Sequence, residues 1–411
     1  MSTTPVRALA AGLLAWCVAS AGAPAGAVSP AGGSAAPPPP VVLAPGVTYR
    51  SFVVIASHGP ALVHLVSADL RAPGVSVDLL TPGAVAARAP LSSLAGDRAA
   101  VAGVNGDFFD ITETQHPGVE ATGASVGPAV GGGRQLKAAV PDGQRFGPAL
   151  PAGTDTRAVL GVGTDGRARL DRLTLDGGVT TPDGSFPLGG LNQYALPVDS
   201  VGAFTSHWGS VSRLRATCGT DEDRAAPCGT ETYEVTVRDG RVVAASAVPG
   251  RGAIDEDTEV LVGREAGARR LRALAVGDRV GVRHRLVAED SRIPYRFAVG
   301  GYPVLRAGTA LPGLDPLTSA VRSAAGWTDG GNTLLLMALD GRIGFRTGLT
   351  IAEVAEVMRD TGAEDAFSLD GGGSSTLVTR DLAGSAVTVR NHPTEGAERP
   401  VPNGIGVFSR G

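Results

Sequence analysis

Alternating and short apolar runs predict that strands make up most of this chain. The segments SFVVIA (residues 51–56) and ALVHLVSADL (61–70) are rich in β-branched and apolar residues and flank the turn SHGP, so we predict two paired strands. The segment TYEVTVRDGRVVAASA (232–247) alternates apolar and polar positions around Asp239-Gly240, which is the pattern of a β-hairpin. Further strands are predicted at AAVAGVN (99–105) and DAFSLD (365–370).

One segment has a clear helical pattern. In GLTIAEVAEVMRDTG (348–362), apolar residues recur from Ile351 to Met358 at the i, i+3, i+4, i+7 spacing of one buried helix face. Thr350 and Glu353 have the spacing of a capping box. Because strands outnumber helices and do not alternate with them regularly, we expect an α+β fold with mixed β-sheets and a few packed helices. We also expect a small all-β insertion at about residues 209–289.

The first 46 residues differ in composition from the rest. Residues 1–27 combine Arg7, a short apolar run and the small residues Ala25-Gly26-Ala27, which is typical of a cleaved secretory signal. Residues 28–46 are rich in alanine and proline and predict an extended linker. The main domain is therefore expected at residues 47–408, in a secreted chain without a transmembrane anchor once the signal is removed.

Charge and cysteine content narrow the partners and the compartment. The formal net charge is -4, so there is no basic field to hold a nucleic acid, and we do not expect DNA or RNA as principal partner. Removal of the signal would leave Cys218 and Cys228 as an even pair in an oxidising compartment, which favours a disulfide. Two free thiols are the alternative.

The glycine-rich stretch SLDGGGSSTLV (368–378) is the first candidate site. Asp370 ends a predicted strand, and glycines after it let the backbone approach a ligand and direct N–H groups at an anion. The loop lacks the lysine of a phosphate-binding Walker loop. The structural alternative is that Asp370 only caps the turn.

Three further residues or motifs are candidates. In VNGDFFD (104–110), Asp107 and Asp110 can reach a sugar, a cation or only water, and a buried aromatic turn is the alternative. His392 is the histidine that we keep as a candidate site residue. Lys137 is the only lysine among 36 lysine and arginine residues, and it is a candidate phosphate contact.

Five motifs in this order resemble those of the phosphodiester glycosidase family: GVNGDFF, VRSAAG, GLTIAEVAEVM, FSLDGGGSSTLV and RPVPNGIGV. The resemblance implies a hydrolase that cleaves the glycosidic bond of a sugar-1-phosphodiester, similar to N-acetylglucosamine-1-phosphodiester, and releases free sugar and a phosphate monoester. Extracellular or cell-envelope glycans are the expected substrates.

The resemblance also implies roles for individual residues. Asp370 or Glu120 would be the catalytic base or nucleophile. Arg322 and the backbone from Gly371 to Ser374 would hold the phosphate, unless Arg322 only forms a structural ion pair. The remaining substrate-binding residues implied are Asn105, Asp107, Gly372, Gly373, Ser375 and Asn403.

Two expectations stay open at this level. A non-catalytic extracellular glycan-binding protein of the same fold is the alternative function. No cofactor is required by the motifs, and if a cation binds among the acidic residues, calcium is favoured over a transition metal because calcium prefers oxygen ligands.

Overall fold

The computed structural model describes residues 39–380 and 386–410. The predicted signal peptide and the first part of the predicted linker lie outside these residues. The strands are β1 (Val41–Ala44), β2 (Val47–Ala56), β3 (Gly59–Asp69), β4 (Val75–Leu80), β5 (Ala102–Asn105), β6 (Ala129–Gly131), β7 (Arg134–Lys137), β8 (Ala158–Gly163), β9 (Ala168–Thr181), β10 (Gly184–Pro187), β11 (Gly190–Leu191), β12 (Val201–Phe204), β13 (Thr232–Arg238), β14 (Arg241–Ser246), β15 (Thr258–Arg264), β16 (Gly281–Ala288), β17 (Tyr295–Gly300), β18 (Tyr302–Arg306), β19 (Thr309–Ala310), β20 (Ser323–Thr328), β21 (Thr333–Leu339), β22 (Asp365–Leu369), β23 (Leu377–Arg380), β24 (Val387–Val389) and β25 (Gly404–Ser409). The α-helices of the described residues are α1 (Leu91–Asp97), α2 (Ala266–Arg272) and α3 (Ile351–Asp360).

The strands form four sheets. The largest has the order β1-β2-β3-β21-β20-β22-β18-β19, and a second has the order β24-β23-β5-β25-β4. A third has the order β10-β9-β8-β17-β6-β7, with β16 also paired to β9, and the fourth has the order β11-β12-β15-β13-β14. Strands β11 and β12 are parallel, whereas the neighbours in the largest sheet are antiparallel. The expected mixed sheets with few helices are confirmed. Strands predominate, and helix accounts for only 10% of the structure.

Local patterns predicted several elements correctly. Helix α3 has the capping box, with the Thr350 side chain accepting from the Glu353 N–H and the Glu353 side chain accepting from the Thr350 N–H. The residues it buries are those of the predicted apolar face. The predicted hairpin forms as β13 and β14, with Asp239 at a positive φ of 48° in the turn.

The expected boundaries of the linker and the insertion are only partly visible. Residues 41–44, inside the predicted linker, pair with β2 as strand β1. Strands β13, β14 and β15 share a sheet with β11 and β12, and β16 pairs with β9, so the region 209–289 is hydrogen-bonded to strands outside it. Its description as an inserted module stays a prediction.

A shared core brings the ends of two strands together. Val104 of β5 and Leu369 of β22 belong to the same cluster of buried side chains, although the strands lie in different sheets. Burial of such apolar surface contributes about 25 cal/mol per Å². The polar residues at the ends of these two strands are therefore held next to each other: Asn105 is the last residue of β5, and Asp370 directly follows β22.

Candidate active site

Asn105 joins the two strand ends. Its side-chain Nδ2 donates to the Asp370 carbonyl oxygen at 2.7 Å, and its Oδ1 accepts from the Ser323 hydroxyl at 2.7 Å and the Thr376 N–H at 3.1 Å. The Asp370 N–H donates to the Gly106 carbonyl at 2.9 Å. These contacts occupy the Asn105 amide oxygen and orient the backbone that carries Asp370.

Asp107 supplies a second carboxylate. It is 2% exposed, its backbone N–H donates to Asn403 Oδ1 at 3.0 Å, and its Oδ2 accepts from the Gly127 N–H at 2.6 Å. Its Oδ1 is buried without a hydrogen-bond partner among the described residues. Because a buried carboxylate oxygen normally has a partner, Oδ1 is available to a ligand.

Burial makes both carboxyl groups weaker acids than usual. Desolvation raises the pKa of Asp107 to about 6, opposed by the positive charge of Lys137 and the Gly127 N–H. Desolvation also raises the pKa of Asp370 to about 6, opposed by the Ser374 hydroxyl and the Gly371 N–H, while the charge of Asp107 raises it further. Two interacting carboxyl groups that ionise near neutral pH are typical of an acid–base site.

Arg145, which no sequence motif indicated, faces this pair. It is 9% exposed, and its guanidinium lies 4.5 Å from the Phe108 ring centroid and 5.2 Å from that of Tyr302. Burial lowers the pKa of Arg145, and the charges of Asp107 and Asp370 are among those that raise it. Arg145 is therefore a buried cation close to both carboxylates.

Several buried polar atoms around Arg145 lack partners. One guanidinium nitrogen of Arg145, Nη2, forms no hydrogen bond among the described residues, and neither does Asp107 Oδ1. The hydroxyls of Tyr302 and Ser368, which occupy paired positions on β18 and β22, are also buried, and neither forms a well-aligned hydrogen bond among the described residues, although the Ser368 hydroxyl lies close enough to lower the pKa of Tyr302. Each unsatisfied buried group costs roughly 1–3 kcal/mol, so their concentration at one place indicates a site prepared for a polar ligand.

Arg322 lies nearby and forms no ion pair within the described residues. It is 9% exposed, and its guanidinium donates to the carbonyls of Leu349 at 3.1 Å and Thr318 at 2.7 Å. Burial lowers its pKa, and the charges of Tyr302 and Asp315 raise it. Asp315 acts on Arg322 through its charge without forming a direct ion pair, so the buried guanidinium can still receive an anion.

The glycine loop does not form the expected cradle of free N–H groups. Gly371 N–H donates to Asp370 Oδ1 at 3.0 Å, Gly372 N–H to the Val321 carbonyl at 2.8 Å, and Ser374 N–H to the Gly371 carbonyl at 3.1 Å. These three N–H groups are used inside the protein, so the expectation that the backbone from Gly371 to Ser374 presents its N–H groups to a phosphate is corrected for Gly371, Gly372 and Ser374.

The remaining loop residues support Asp370 or the turn. Arg399 packs against Gly373, where an added Cβ would lie 2.3 Å from the guanidinium. The Arg399 guanidinium also donates to the Ser374 hydroxyl at 3.4 Å. Ser375 is fully buried, and its hydroxyl contacts that of Ser323 at 3.1 Å, which places it in the polar network around Asn105.

A family model matches the carboxyl-terminal half of the described chain. The matched segment, residues 216–408, corresponds to the phosphodiester glycosidases. The matched segment contains Arg322, Asp370 and Asn403, whereas Asp107 and Arg145 lie before it. The resemblance inferred from the motifs is confirmed.

Solved structures with the same fold extend over most of the chain. A hypothetical protein from Synechocystis is 23% identical, with a TM-score of 0.66 over 89% of this chain. This chain spans 62% of that protein. A Burkholderia pseudomallei protein, described as a candidate exported protein, is 26% identical with a TM-score of 0.63, covering 85% of this chain and 74% of its own.

A more distant match has a described activity. The catalytic domain of zebrafish N-acetylglucosamine-1-phosphodiester α-N-acetylglucosaminidase, auto-inhibited by its pro-peptide, is 15% identical with a TM-score of 0.43, covering 89% of this chain and 85% of its own. No curated protein matches the sequence.

Two candidates from the sequence lie apart from the candidate active site. Glu120 is on the surface, with its side chain 46% exposed and paired with Arg251 at 3.2 Å. Lys137 is 1% exposed, and its ammonium contacts three backbone carbonyls, so the expectation of a phosphate contact was wrong. Glu120 was proposed from the motif order alone, which carries no information about exposure.

His392 and Asp110 have other partners. His392 Nδ1 lies 2.8 Å from Asp340 Oδ2, and His64 Nε2 lies 3.3 Å from the same oxygen. Asp110 Oδ2 accepts from the N–H and the hydroxyl of Thr122, both at 2.8 Å, as expected of a turn-capping carboxylate.

The predicted disulfide between Cys218 and Cys228 is present. His116 lies beside it, but oxidised cysteines offer no thiolate ligands, so this group of the described residues does not form a metal site. Calcium binding stays a prediction. No helix of the described residues is long and apolar enough to cross a membrane.

One large cavity lies away from the carboxylates. It has a volume of about 600 Å³ and is lined by residues of β16 and β17, including Leu286 and Tyr295, and by none of the predicted site residues. We place the site by its chemistry, because interacting carboxyl groups with raised pKa values and unpartnered polar atoms are stronger indicators than volume.

Proposed function

We propose that this chain is a secreted phosphodiester glycosidase that hydrolyses sugar-1-phosphodiesters, similar to N-acetylglucosamine-1-phosphodiester, in extracellular or cell-envelope glycans. The observation that carries the proposal is the Asp107 and Asp370 pair, with both pKa values raised to about 6, beside the buried cation Arg145. The family match supports a glycosidase-type activity.

In the proposed reaction, water adds to the anomeric carbon and the bond from that carbon to the phosphate oxygen breaks. The products are free sugar and a phosphate monoester, which departs with the electron pair of the broken bond. Asp370, which is partly exposed at the mouth of the site, acts as nucleophile or general base. Asp107 Oδ1 accepts a hydrogen bond from a sugar hydroxyl or from the attacking water.

Arg145 and Arg322 would bind the phosphate. Arg145 has an unpartnered nitrogen, and Arg322 hydrogen-bonds only to backbone carbonyls and forms no direct ion pair among the described residues, so an entering phosphate adds the charged partner that both lack. Positive charge placed where the leaving phosphate gains charge stabilises the transition state, an effect of about 2.7–4 kcal/mol for one oxyanion-hole donor.

Secretion rests on separate observations. The predicted signal peptide, the disulfide and the likeness to a protein described as a candidate exported protein support an extracellular location.

The test is turnover of para-nitrophenyl-phospho-N-acetylglucosamine and other sugar-1-phosphodiesters by the purified mature chain. We expect free sugar and nitrophenyl phosphate, detected by chromatography. Release of nitrophenolate instead would indicate cleavage of a phosphorus–oxygen bond and contradict the proposal. Glycan binding without turnover would favour the non-catalytic alternative.

Two substitutions at opposite ends of β22 provide the test of Asp370 and its matched control. Asp370→Asn should be inactive, whereas Asp365→Asn, at the other end of β22, should retain activity. Asp365 is half-buried and burial raises its pKa, but its contact is with the Ala307 N–H at 2.6 Å, away from the site.

A further inference from the structure

The ammonium of Lys137 is hydrogen-bonded to three backbone carbonyl oxygens. Lys137 Nζ donates to the carbonyls of Val126 at 3.1 Å, Gly127 at 2.5 Å and Ala138 at 2.6 Å. The residue is 1% exposed and ends strand β7. An ammonium has three N–H donors, so these carbonyls use its full hydrogen-bonding capacity.

This geometry explains why the position is lysine in a chain that otherwise uses arginine. A guanidinium is planar, carries five N–H donors in a fixed fork and cannot direct three of them at oxygens that converge on one point. Arginine at position 137 would leave buried donors unpaired, which is unfavourable, and more so because the group is charged. Lys137 is the single lysine of the chain.

Gly127 connects this ammonium to the candidate active site. Its carbonyl accepts from Lys137, and its N–H donates to Asp107 Oδ2 at 2.6 Å. An added Cβ at Gly127 would lie 2.7 Å from the Gly300 Cα, so the backbone here is packed closely. The position of the Gly127 N–H therefore depends on what holds its carbonyl.

The charged and titratable groups that face Lys137 and Asp107 come from the segments packed against these two residues. Asp107 faces Lys137 and Arg145, and it acts in turn on Asp370 and on the buried Tyr194. Burial lowers the pKa of Lys137, and Asp107 raises it. The three carbonyl oxygens also favour the protonated ammonium.

We propose that Lys137 is a positioning residue for Asp107: it fixes the Gly127 backbone that holds one carboxylate oxygen, so that Oδ1 is left directed at the substrate. The kinetic consequence rests on the proposed function, but the coupling between Lys137 and Asp107 does not. Lys137 itself does not touch the substrate.

The coupling has a test that needs no enzymatic activity. Because Lys137 is the only lysine, the mature chain labelled with [13Cε]lysine gives a single side-chain NMR signal. We expect its titration midpoint to lie below that of a free lysine, and to fall further in Asp107→Asn because the neighbouring negative charge is gone. A signal that titrates like free lysine, or an identical midpoint in Asp107→Asn, would overturn the proposal.

The positioning role has a kinetic test. In Lys137→Met, loss of the positive charge leaves burial of Asp107 less opposed. The acidic limb of the kcat/KM profile should therefore move up by about one pH unit, which is about a fivefold loss at pH 6 and less at pH 8. Lys137→Arg should not restore the profile. Gln135→Met is the control on the same strand, since Gln135 contacts Leu286 instead.

The outcomes separate the proposal from the proposed function. A loss that is equal at all pH values would show that Lys137 is only structural and would overturn the positioning role. If Lys137→Met does not fold, the titration of Lys137 in Asp107→Asn still decides the coupling. If the wild type is inactive on every phosphodiester, the proposed function fails, while the NMR comparison still confirms or refutes the link between Lys137 and Asp107.

Discussion

Replacing Asp370 with asparagine should inactivate the protein and stabilise it at the same time. Burial raises the pKa of this carboxyl from 3.8 to about 6, so folding disfavours its ionised form. A difference of roughly two pH units corresponds to about 3 kcal/mol at full burial. Because Asp370 is partly exposed, solvent screening reduces the expected gain to about 1–3 kcal/mol.

The stability that Asp370→Asn gains over the wild type should increase as the pH rises. Below pH 3.8 the carboxyl is protonated in both the folded and the unfolded chain, so wild type and Asp370→Asn should be equally stable. Between pH 3.8 and about 6 the unfolded chain ionises first, and the free energy of unfolding of the wild type falls relative to the variant. Above about pH 6 the difference is complete.

Urea denaturation at pH 4, 5, 6, 7 and 8 measures this difference, with Asp340→Asn as a control of opposite sign. Burial raises the pKa of Asp340, but hydrogen bonds from His392 and the Arg342 N–H outweigh it and lower the pKa overall. Its ionised form therefore stabilises the fold above the unfolded pKa, and Asp340→Asn should be destabilised at pH 7. Destabilisation of Asp370→Asn at pH 7 would refute the reasoning and support Asp370 as a turn cap.

Three further outcomes follow from the site. Arg145→Met should lower kcat/KM on a sugar-1-phosphodiester by about 10- to 150-fold, the range for a lost hydrogen bond to a charged group, and an unchanged value would remove Arg145 from phosphate binding. The kcat/KM of the wild type should rise with pH through about 6 as Asp107 and Asp370 ionise, and a flat profile from pH 5 to 7 would exclude a functional carboxylate pair. Glu120→Gln should keep kcat within about twofold because a surface ion pair contributes at most about 1 kcal/mol, and a large loss of kcat would return Glu120 to the mechanism.

The sequence predicted the elements whose signals are local. The capping box of α3, its buried face and the turn at Asp239 depend on residues within a few positions of each other, so periodicity and turn chemistry were sufficient. Asp370 was found because a strand, a carboxylate and a glycine run are adjacent in sequence.

The rest of the site depends on contacts between distant segments. Arg145 lies in a segment without a motif, and only the fold places its guanidinium 5.2 Å from the centroid of the Tyr302 ring. The Gly372 N–H donates to the carbonyl of Val321, which lies just before β20. Strand β20 is the neighbour of β22 in the largest sheet. Lys137 was singled out because it is the only lysine. Its rarity does not show whether the ammonium contacts a phosphate at the surface or donates to backbone carbonyls in the interior.

Hydrolysis in H218O is the decisive measurement for the proposed glycosidase activity, because it identifies the bond that is broken. The mature chain is incubated with a sugar-1-phosphodiester, and the masses of the products are measured by mass spectrometry. We expect 18O in the free sugar, none in the phosphate monoester, and no product with Asp370→Asn. Incorporation of 18O into the phosphate, or full turnover by Asp370→Asn, would contradict the proposed activity.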